Sequence, residues 1–318
     1  MVRKAPRKKR GLEDAVRAAF VAAAFICAAV LGTGGFLAIR SALSPDTALP
    51  AFNSEEAAAQ KETDPPVPEH DSALLTEMEE AIQRLDEDAG IPAPERKGIL
   101  VFVIDDAGNN LRELDGFLAF PGALTIAVLP ALPNSVEAAK RVRAAGKEVF
   151  LHQPMEPLGA QDPGPGVIKT GMTAAEVKAA LNKNLDEIGP VAGVNNHEGS
   201  KATMDKEIMR ALLEGINARH IVFLDSRTIA ETAGPAAAKE LGLNIAQRDI
   251  FLDNEQDRDS IISMIHEGLK KSESAGIAIM IGHAWSPYLA EILTELYPVF
   301  IREGYQLSTV GAILDPGK

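Results

Sequence analysis

From Gly98 to the C-terminus, short runs of β-branched and other apolar residues alternate with segments of helical periodicity. Continuous apolar strands separated by helices are typical of a parallel sheet that is covered by helices on its outside. The strands are predicted at 98–104, 123–129, 147–152, 190–195, 220–225, 244–251, 276–282 and 305–310. The helices are predicted at 135–145, 174–185, 205–217, 234–241, 257–274 and 288–302. This succession favours an α/β fold of the (β/α) barrel type, regular or distorted, over two small domains.

The N-terminal segments differ in composition from this region. Residues 1–17 carry seven Lys or Arg against two acidic residues, although the net charge of the chain is −13. Residues 18–39 contain no charge, and a helix of 22 residues is long enough to cross a bilayer. The basic flank predicts a cytoplasmic tail, a single-pass signal anchor in the inner membrane and a periplasmic or otherwise extracytoplasmic C-terminal domain. A cleaved signal peptide is the alternative, but the length of the apolar run favours an uncleaved anchor.

Residues 40–97 form an acidic, proline-rich linker with few aromatic residues, which predicts a disordered stalk without a core of its own. Within it, apolar residues at helical spacing predict a short amphipathic helix over 72–88. This helix either docks on the main domain or self-associates, and both alternatives stay open. The single cysteine, Cys27, lies in the apolar run 18–39, so the sequence excludes a cysteine nucleophile or a thiolate zinc site in the predicted domain 98–318.

Polar side chains follow the predicted strands at the ends where (β/α) folds place their chemistry. The groups are Asp105-Asp106, His152 with Glu156, Asn195 to Ser200, Asp225, Arg248-Asp249 with Asp253, and His283. Each group taken alone also fits an ordinary turn or helix cap, because Asp, Asn and Ser are common turn residues. Their recurrence at several strand ends favours one shared site.

The residue types at these strand ends suit metal-assisted hydrolysis. Imidazole and carboxylate without thiolate favour Zn²⁺ in a site with three protein ligands and one open position. Asp105 or Asp106, with His152, His197 and His283, would supply ligands, a proton acceptor and a proton donor. The chain has no Gly-x-Ser-x-Gly elbow and no glycine-rich phosphate loop, which argues against a serine hydrolase or a nucleotide-binding protein.

Seven short motifs carry a resemblance to a known family. They are VFVIDDAG, LTIAVLP, GKEVFLHQPMEP, GVNNHEGSKAT, FLDSRT, RDIFLDN and AIMIGH, in this order along residues 98–318. With them the chain resembles the divergent polysaccharide deacetylase family, a branch of the carbohydrate deacetylase superfamily. The resemblance implies a distorted (β/α) barrel and the removal of N- or O-acetyl groups with a divalent metal, for which we expect Zn²⁺.

The resemblance also implies roles for individual residues. Asp105 is similar to the general base and Asp106 to the metal-binding aspartate. His152 matches the first histidine of the His-x-x-x-His metal motif of the superfamily, whose second position is Glu156 in this chain. Glu156 and His197 are therefore both candidates for completing the metal site, and the sequence leaves the choice open.

His283 is similar to the late histidine that acts as general acid. The residues after it, Ala284 and Trp285, depart from the proline that is more frequent in the family. Trp285 is either a stacking platform for a sugar or an ordinary packing residue. The candidate substrate-binding residues are Asn196, Ser200, Asp225, Asp249 and Trp285.

These observations predict a membrane-anchored, metal-dependent polysaccharide deacetylase-like hydrolase that acts on acetylated glycan of the cell envelope. The alternative is a non-catalytic, degenerate deacetylase fold that binds envelope glycan or a partner protein. Nucleic acid is not expected as a partner, because the net charge of −13 would repel phosphate.

Overall fold

The computed structural model describes residues 95–314. The predicted cytoplasmic tail, signal anchor and amphipathic helix 72–88 lie outside the described residues, as does the linker up to residue 94, so these assignments stay predictions. Within residues 95–314, none of the helices combines the length and the apolar character needed to cross a membrane.

The described chain alternates between strands and helices, as the sequence predicts. The strands are β1 (Gly98–Ala107), β2 (Thr125–Val128), β3 (Glu148–Met155), β4 (Gly193–Glu198), β5 (Val222–Asp225), β6 (Ala246–Gln247), β7 (Ile250–Phe251), β8 (Ile277–His283) and β9 (Tyr305–Ser308). The helices are α1 (Asp115–Ala119), α2 (Ser135–Ala144), α3 (Ala174–Ile188), α4 (Lys206–Ala218), α5 (Gly234–Leu241), α6 (Arg258–Ala275), α7 (Leu289–Arg302) and α8 (Val310–Leu314). Every predicted strand and helix has a counterpart, but the predicted strand 244–251 is divided into β6 and β7, and α1 and α8 were not predicted.

All strand pairs are parallel, in the order β6-β5-β4-β3-β2-β1-β8-β7, with β9 beside β1. The two ends of this order, β6 and β7, are separated in the chain by only Arg248 and Asp249. The Arg248 N–H donates to Asp225 of β5 (3.0 Å), and the Asp249 N–H donates to Ile279 of β8 (2.8 Å). The sheet therefore curls until one short segment connects its two ends, and the predicted parallel α/β architecture is confirmed.

Alternate residues of each strand face opposite sides of the sheet. Leu100 and Phe102 of β1 belong to the large buried cluster that includes the helices, and we call this side the helix-facing side. Val101 of β1 and Phe150 of β3 belong to a second buried cluster, formed almost entirely by strand residues, on what we call the inner side. This division determines which polar residue at each strand end can reach the interior of the curled sheet.

The short helix α8 closes the inner side at the N-terminal ends of the strands. Val310 is fully buried and packs in the inner cluster, and its N–H donates to Thr125 Oγ1 (3.1 Å). The Glu148 carboxylate accepts from Thr125 Oγ1 (2.7 Å), Thr309 Oγ1 (3.0 Å) and the Gly311 N–H (3.1 Å). The opposite end of the inner side, at the C-terminal ends of the strands, is where the polar groups collect.

Candidate metal centre and acid–base groups

The inner side turns polar where the strands end. Asp105 continues the inner row of β1, His152 that of β3, Asn195 and His197 that of β4, and His283 that of β8. Pairing between strands aligns these positions, because Asp105 is the register partner of His283, and His152 is that of Asn195. The curled sheet thus brings together residues that are far apart in the sequence.

An irregularity in β1 turns a second carboxylate toward the same place. The pairing of β1 with β2 shifts register between Ile104 and Ala107, and Asp106 has a φ of 63°. In a regular strand Asp106 would face the helices, opposite to Asp105. Because the bulge breaks the alternation, both carboxylates approach His152 Nε2, at 3.6 Å for Asp105 Oδ2 and 3.3 Å for Asp106 Oδ1. Positive φ is uncommon for residues other than glycine and is concentrated at functional sites.

Asp106, His152 and His197 form a group whose possible ligand atoms converge. We call these three residues, which could hold a metal ion, the metal-binding group. Asp106 Oδ1 lies 3.3 Å from His152 Nε2 and 3.0 Å from His197 Nδ1, and the two nitrogens are 3.1 Å apart. Ligands about 2.0–2.1 Å from a tetrahedral Zn²⁺ are separated by roughly 3.3 Å, so a triangle of these dimensions suits such an ion. Asp106 Oδ1 is also buried without a hydrogen-bond partner of acceptable geometry, which is rare for a buried carboxylate oxygen. The donor set and its arrangement both fit a divalent metal.

The electrostatics of this group favour a bound cation. Burial works to lower the pKa of His152, but Asp105 and Asp106 outweigh it and raise that pKa to about 9. Burial works to raise the pKa of Asp106, but the two adjacent imidazoles hold it far below its usual value. The two carboxylates thus stabilise positive charge beside them, and a metal ion would displace the proton from His152.

Asn195 connects His152 to Asp105. Its Oδ1 lies 2.8 Å from His152 Nδ1, and its Nδ2 donates to Asp105 Oδ1 at 2.8 Å and to Ser226 Oγ at 3.2 Å. Asp105, His152 and Asn195 are all buried. Burial is the main cause that raises the pKa of Asp105, and the nearby His152 and His283 only partly offset it.

His283 is held by a buried carboxylate and two aromatic rings. Asp253 accepts from the His283 N–H (2.8 Å) and lies 2.9 Å from its Nδ1. Burial works to lower the pKa of His283, but Asp253 raises it above its ordinary value. The imidazole lies between Phe251, at 5.1 Å between ring centroids, and Trp285, stacked at 4.6 Å. Trp285 also donates its Nε1–H to Asp106 Oδ2 (2.9 Å), so the indole contacts both the metal-ligand candidate and the acid candidate.

A cleft of about 200 Å³ opens beside the metal-binding group. Its walls are formed by Asp106, Asn109, Leu129, Pro130, Leu132, Pro154, Asp162, Pro163, Gly164, Pro165 and His197. A small polar group attached to a larger molecule can therefore reach Asp106 and His197 from outside.

The structure does not bring Glu156 into the metal-binding group. Its Oε2 accepts from the Thr170 N–H (2.8 Å) and from Thr170 Oγ1 (2.5 Å), and its Oε1 pairs with Lys201 Nζ (2.8 Å). The hydrogen bond from Lys201 is the largest cause that lowers the pKa of Glu156 to about 2, followed by those from Thr170. Both oxygens are thus used to hold the chain after β3, and of the two candidates for the third ligand the geometry favours His197.

Two of the predicted substrate-binding residues lie on the helix-facing side. The Asn196 side chain accepts from the Ser226 N–H and donates to the Glu198 carbonyl, both at 2.9 Å. Asp225 is fully buried, and Thr232 Oγ1 donates to its Oδ2 (2.8 Å). Alternation along β4 and β5 places both side chains away from the cleft, and their polar atoms are occupied within the protein.

Two further predicted substrate-binding residues fix the backbone. Ser200 Oγ accepts from the Leu158 N–H (2.9 Å), which ties the segment after β4 to the segment after β3. Asp249 Oδ2 accepts from the Ile279 N–H (2.9 Å), and its Oδ1 pairs with Lys271 (3.3 Å). Neither residue lines the cleft within the described part of the chain. Of the predicted substrate-binding residues, Trp285 is the one that contacts the metal-binding group.

The sequence analysis places Asn195 and Asp253 among the polar groups at the strand ends but assigns neither of them a role. A signal for Asn195 was present, because it precedes His197 by two residues and so shares its side of β4. Asp253 follows β7 in a loop, and no periodicity in the sequence connects it to His283.

The fold and this group of side chains define a parallel α/β protein with a His₂Asp donor set at the C-terminal ends of its strands. The sequence model that describes the divergent polysaccharide deacetylase family matches residues 102–314 of this chain. The chain belongs to the divergent polysaccharide deacetylase family, as its motifs predict.

Relatives and a solved structure are similar to this chain. An uncharacterized protein of Haemophilus influenzae is 33% identical over 184 residues, covering 58% of this chain and 66% of that protein. The uncharacterized protein YibQ of Escherichia coli is 31% identical over 206 residues, covering 65% of this chain and 64% of that protein. The chain therefore matches slightly less than two thirds of the length of either relative. The crystal structure of an uncharacterized protein from Agrobacterium tumefaciens has a similar fold, with a TM-score of 0.65, 20% identity and coverage of 69% of this chain and 90% of that one.

Proposed function

We propose that this protein is a metal-dependent, carbohydrate deacetylase-like hydrolase in which Asp106, His152 and His197 hold a divalent cation, for which we expect Zn²⁺. The observation that carries the proposal is the convergence of two imidazole nitrogens on Asp106 Oδ1, a buried oxygen without a hydrogen-bond partner of acceptable geometry. Membership of the divergent polysaccharide deacetylase family supports the reaction class.

A divalent ion held by such a donor set lowers the pKa of a water molecule and polarises the carbonyl oxygen of a substrate. In this proposal Asp105 takes the proton of the attacking water. Its Oδ1 accepts a hydrogen bond from Asn195. Its Oδ2 faces the ligand triangle, by which we mean Asp106 Oδ1, His152 Nε2 and His197 Nδ1, and lies 3.6 Å from His152 Nε2. Burial raises the pKa of Asp105, which makes it a stronger base than an exposed aspartate.

His283 donates the proton to the departing amine or alcohol. Since Asp253 is next to Nδ1, that nitrogen keeps its hydrogen and the proton that moves is carried by Nε2. The raised pKa of His283 keeps the ring protonated closer to neutral pH. Phe251 and Trp285 flank the ring on both sides and restrict its rotation.

The substrate we propose is acetylated glycan of the cell envelope, reached by a domain anchored in the membrane through residues 18–39. The cleft of about 200 Å³ next to Asp106 and His197 can receive an acetyl group and part of the sugar that bears it. The polybasic N-terminus followed by the uncharged run supports a periplasmic or extracytoplasmic domain.

Metal analysis of His152→Ala in the full chain tests the ligand assignment. We expect the purified wild-type protein to contain stoichiometric zinc by elemental analysis and the variant to lose it. His266→Ala is the matched control, because His266 is exposed on α6 and is not part of the metal-binding group. Full zinc occupancy in His152→Ala would refute the site.

Asp105→Asn separates the base from the ligands. We expect this variant to retain zinc but to release acetate from acetylated glycan about 10²–10⁴-fold more slowly, since it lacks a proton acceptor. Wild-type rates in Asp105→Asn would remove Asp105 as base. A wild-type protein that binds zinc and glycan but releases no acetate would favour the non-catalytic alternative, and a panel of other esters and amides would reveal a different hydrolysed bond.

A further inference from the structure

Asn195 lies between the two groups to which the proposed function assigns different tasks. It is fully buried on the inner side of β4 and contacts both His152 and Asp105. We propose that Asn195 is the positioning residue that determines which nitrogen of His152 faces the ion and which oxygen of Asp105 stays free to accept a proton. This inference rests on the proposed function of the site.

The neighbours of Asn195 determine the orientation of its amide. A carboxylate only accepts hydrogen bonds, so the group 2.8 Å from Asp105 Oδ1 has to be the amide NH₂. The second hydrogen of that NH₂ points to Ser226 Oγ, at 3.2 Å. The amide oxygen is then left on the side of His152, 2.8 Å from Nδ1.

This orientation selects one tautomer of His152. Because the amide oxygen can only accept, His152 Nδ1 has to carry a hydrogen, and the lone pair of the neutral ring lies on Nε2. Nε2 is the atom that lies close to Asp106 Oδ1 and His197 Nδ1. Metal-binding histidines generally donate their other N–H to a fixed acceptor, and the side chain of Asn195 supplies that acceptor here.

The same amide restrains Asp105. With Oδ1 bound to Asn195, the carboxylate cannot rotate freely, and Oδ2 remains directed to the ligand triangle. The Asp105 carbonyl accepts from the Ala284 N–H (2.9 Å), so its backbone is fixed as well. One side chain therefore positions a ligand with its oxygen and the base with its nitrogen.

The double role requires an amide of this length. Asn195→Asp keeps an acceptor for His152 but replaces the N–H offered to Asp105 with a second carboxyl group, so the two acids would share a proton and Asp105 would no longer be a free base. Asn195→Leu has a similar size and offers neither. The two variants should consequently separate the two effects, whereas a purely structural role would affect both measurements together.

The test measures Zn²⁺ affinity by competition with a chelator, and acetate release from acetylated glycan, for the full chain and its variants. In Asn195→Asp we expect an affinity within a few-fold of the wild type, with kcat lower by about 10²–10⁴-fold. In Asn195→Leu we expect the same loss of kcat together with a Zn²⁺ affinity about 10–100-fold weaker. Asn244→Asp is the matched control, because Asn244 is exposed between α5 and β6 and is not part of the metal-binding group, and it should leave both quantities unchanged. Circular dichroism checks that each variant is folded. If Asn195→Leu does not fold, the Zn²⁺ affinity and kcat of Asn195→Asp alone test the inference.

Equal weakening of Zn²⁺ binding in Asn195→Asp and Asn195→Leu would overturn the inference and leave the proposed function intact. Wild-type kcat in Asn195→Asp would also overturn it. A wild-type chain that takes up no Zn²⁺ would overturn the proposed function and, with it, the inference. If the wild type binds Zn²⁺ but releases no acetate, the proposed activity fails, and the part of the inference that concerns Asp105 fails with it. The Zn²⁺ affinities of Asn195→Asp and Asn195→Leu then decide the part that concerns His152.

Discussion

Glu156→Gln distinguishes a structural role for this side chain from the ligand role that the sequence suggests. The carboxylate accepts two hydrogen bonds from Thr170 and one from Lys201. The variant would keep an acceptor for Thr170, but it would lose the charge and place an amide next to the ammonium group of Lys201. We expect it to weaken the attachment of the chain after β3 without affecting the metal-binding group.

The size of this effect follows from the pKa of Glu156. The hydrogen bonds from Lys201 and then Thr170 lower that pKa from 4.5 to about 2. A shift of this size corresponds to at most about 3 kcal/mol. The side chains of Glu156 and Lys201 are 24% and 43% exposed, so solvent screening reduces the contribution. We therefore expect Glu156→Gln to lower the free energy of unfolding by about 1–2 kcal/mol near neutral pH.

Denaturant unfolding as a function of pH measures this difference. The pKa is lower in the folded than in the unfolded state, so the stabilisation is fully present above pH 4.5 and is lost as the pH falls toward 2. The difference between wild type and Glu156→Gln should be constant near neutral pH and should close over that acid range. Glu137→Gln is the control, because Glu137 forms only exposed pairs on α2 and should cost at most about 0.5 kcal/mol. A Zn²⁺ affinity reduced more than about tenfold in Glu156→Gln, with unchanged stability, would refute this reasoning and return Glu156 to the ligand set.

Three further variants examine other contacts. Trp285→Phe keeps the stack on His283 but removes the N–H donated to Asp106 Oδ2. We therefore expect its Zn²⁺ affinity, measured by competition with a chelator, to fall about tenfold. Unchanged affinity would mean that the indole has only a packing role. Asp253→Asn removes the charge that raises the pKa of His283, so the alkaline decline of kcat should move to lower pH, and an unshifted profile would exclude His283 as the proton donor. Val310→Ala leaves a void in the inner cluster and should cost about 1–2 kcal/mol in urea unfolding without changing Zn²⁺ affinity; a weaker affinity at full stability would contradict the placement of α8 far from the site.

Most of the secondary structure could be predicted because its signals are local. Each apolar run and each helical pattern depends on residues close together in the chain, as in β8 and α6. The predicted strand 244–251 is divided because its pairing changes from β5 to β8 at Arg248 and Asp249, and a single sequence does not show which strand will be the neighbour. The helices α1 and α8 have five residues each, which is too short for a periodic signal.

Part of the site could have been predicted more sharply by counting in steps of two along each strand. From the inner residue Val103 the count reaches Asp105, and from Phe150 it reaches His152. From His197 it goes back to Asn195, so Asn196 faces the helices. Counting in steps of two from the inner residue Leu224 of β5 skips Asp225, so Asp225 is expected to face the helices.

The count fails at Asp106. Its inward direction depends on a register shift and a positive φ, and no glycine in the sequence marks this conformation. The resemblance to a family, rather than the pattern of the strand, indicated Asp106 as a ligand. Its contact with Trp285 likewise depends on tertiary structure, because the two residues are 179 positions apart.

The three candidate ligands come from three strands, and His152 and His197 are 45 positions apart in the chain. An unfolded chain therefore has no local pair of imidazoles comparable to a His-x-x-x-His segment, and it should hold the ion only weakly. Because a ligand that binds only the folded state stabilises it in proportion to RT ln(1 + [L]/Kd), nearly all of the binding free energy would appear as added folding stability. The melting temperature would then rise with metal concentration, and the ion could enter only after the neighbouring strands β1 to β4 have paired. Loading of the metal would thus report that this half of the sheet has completed its folding.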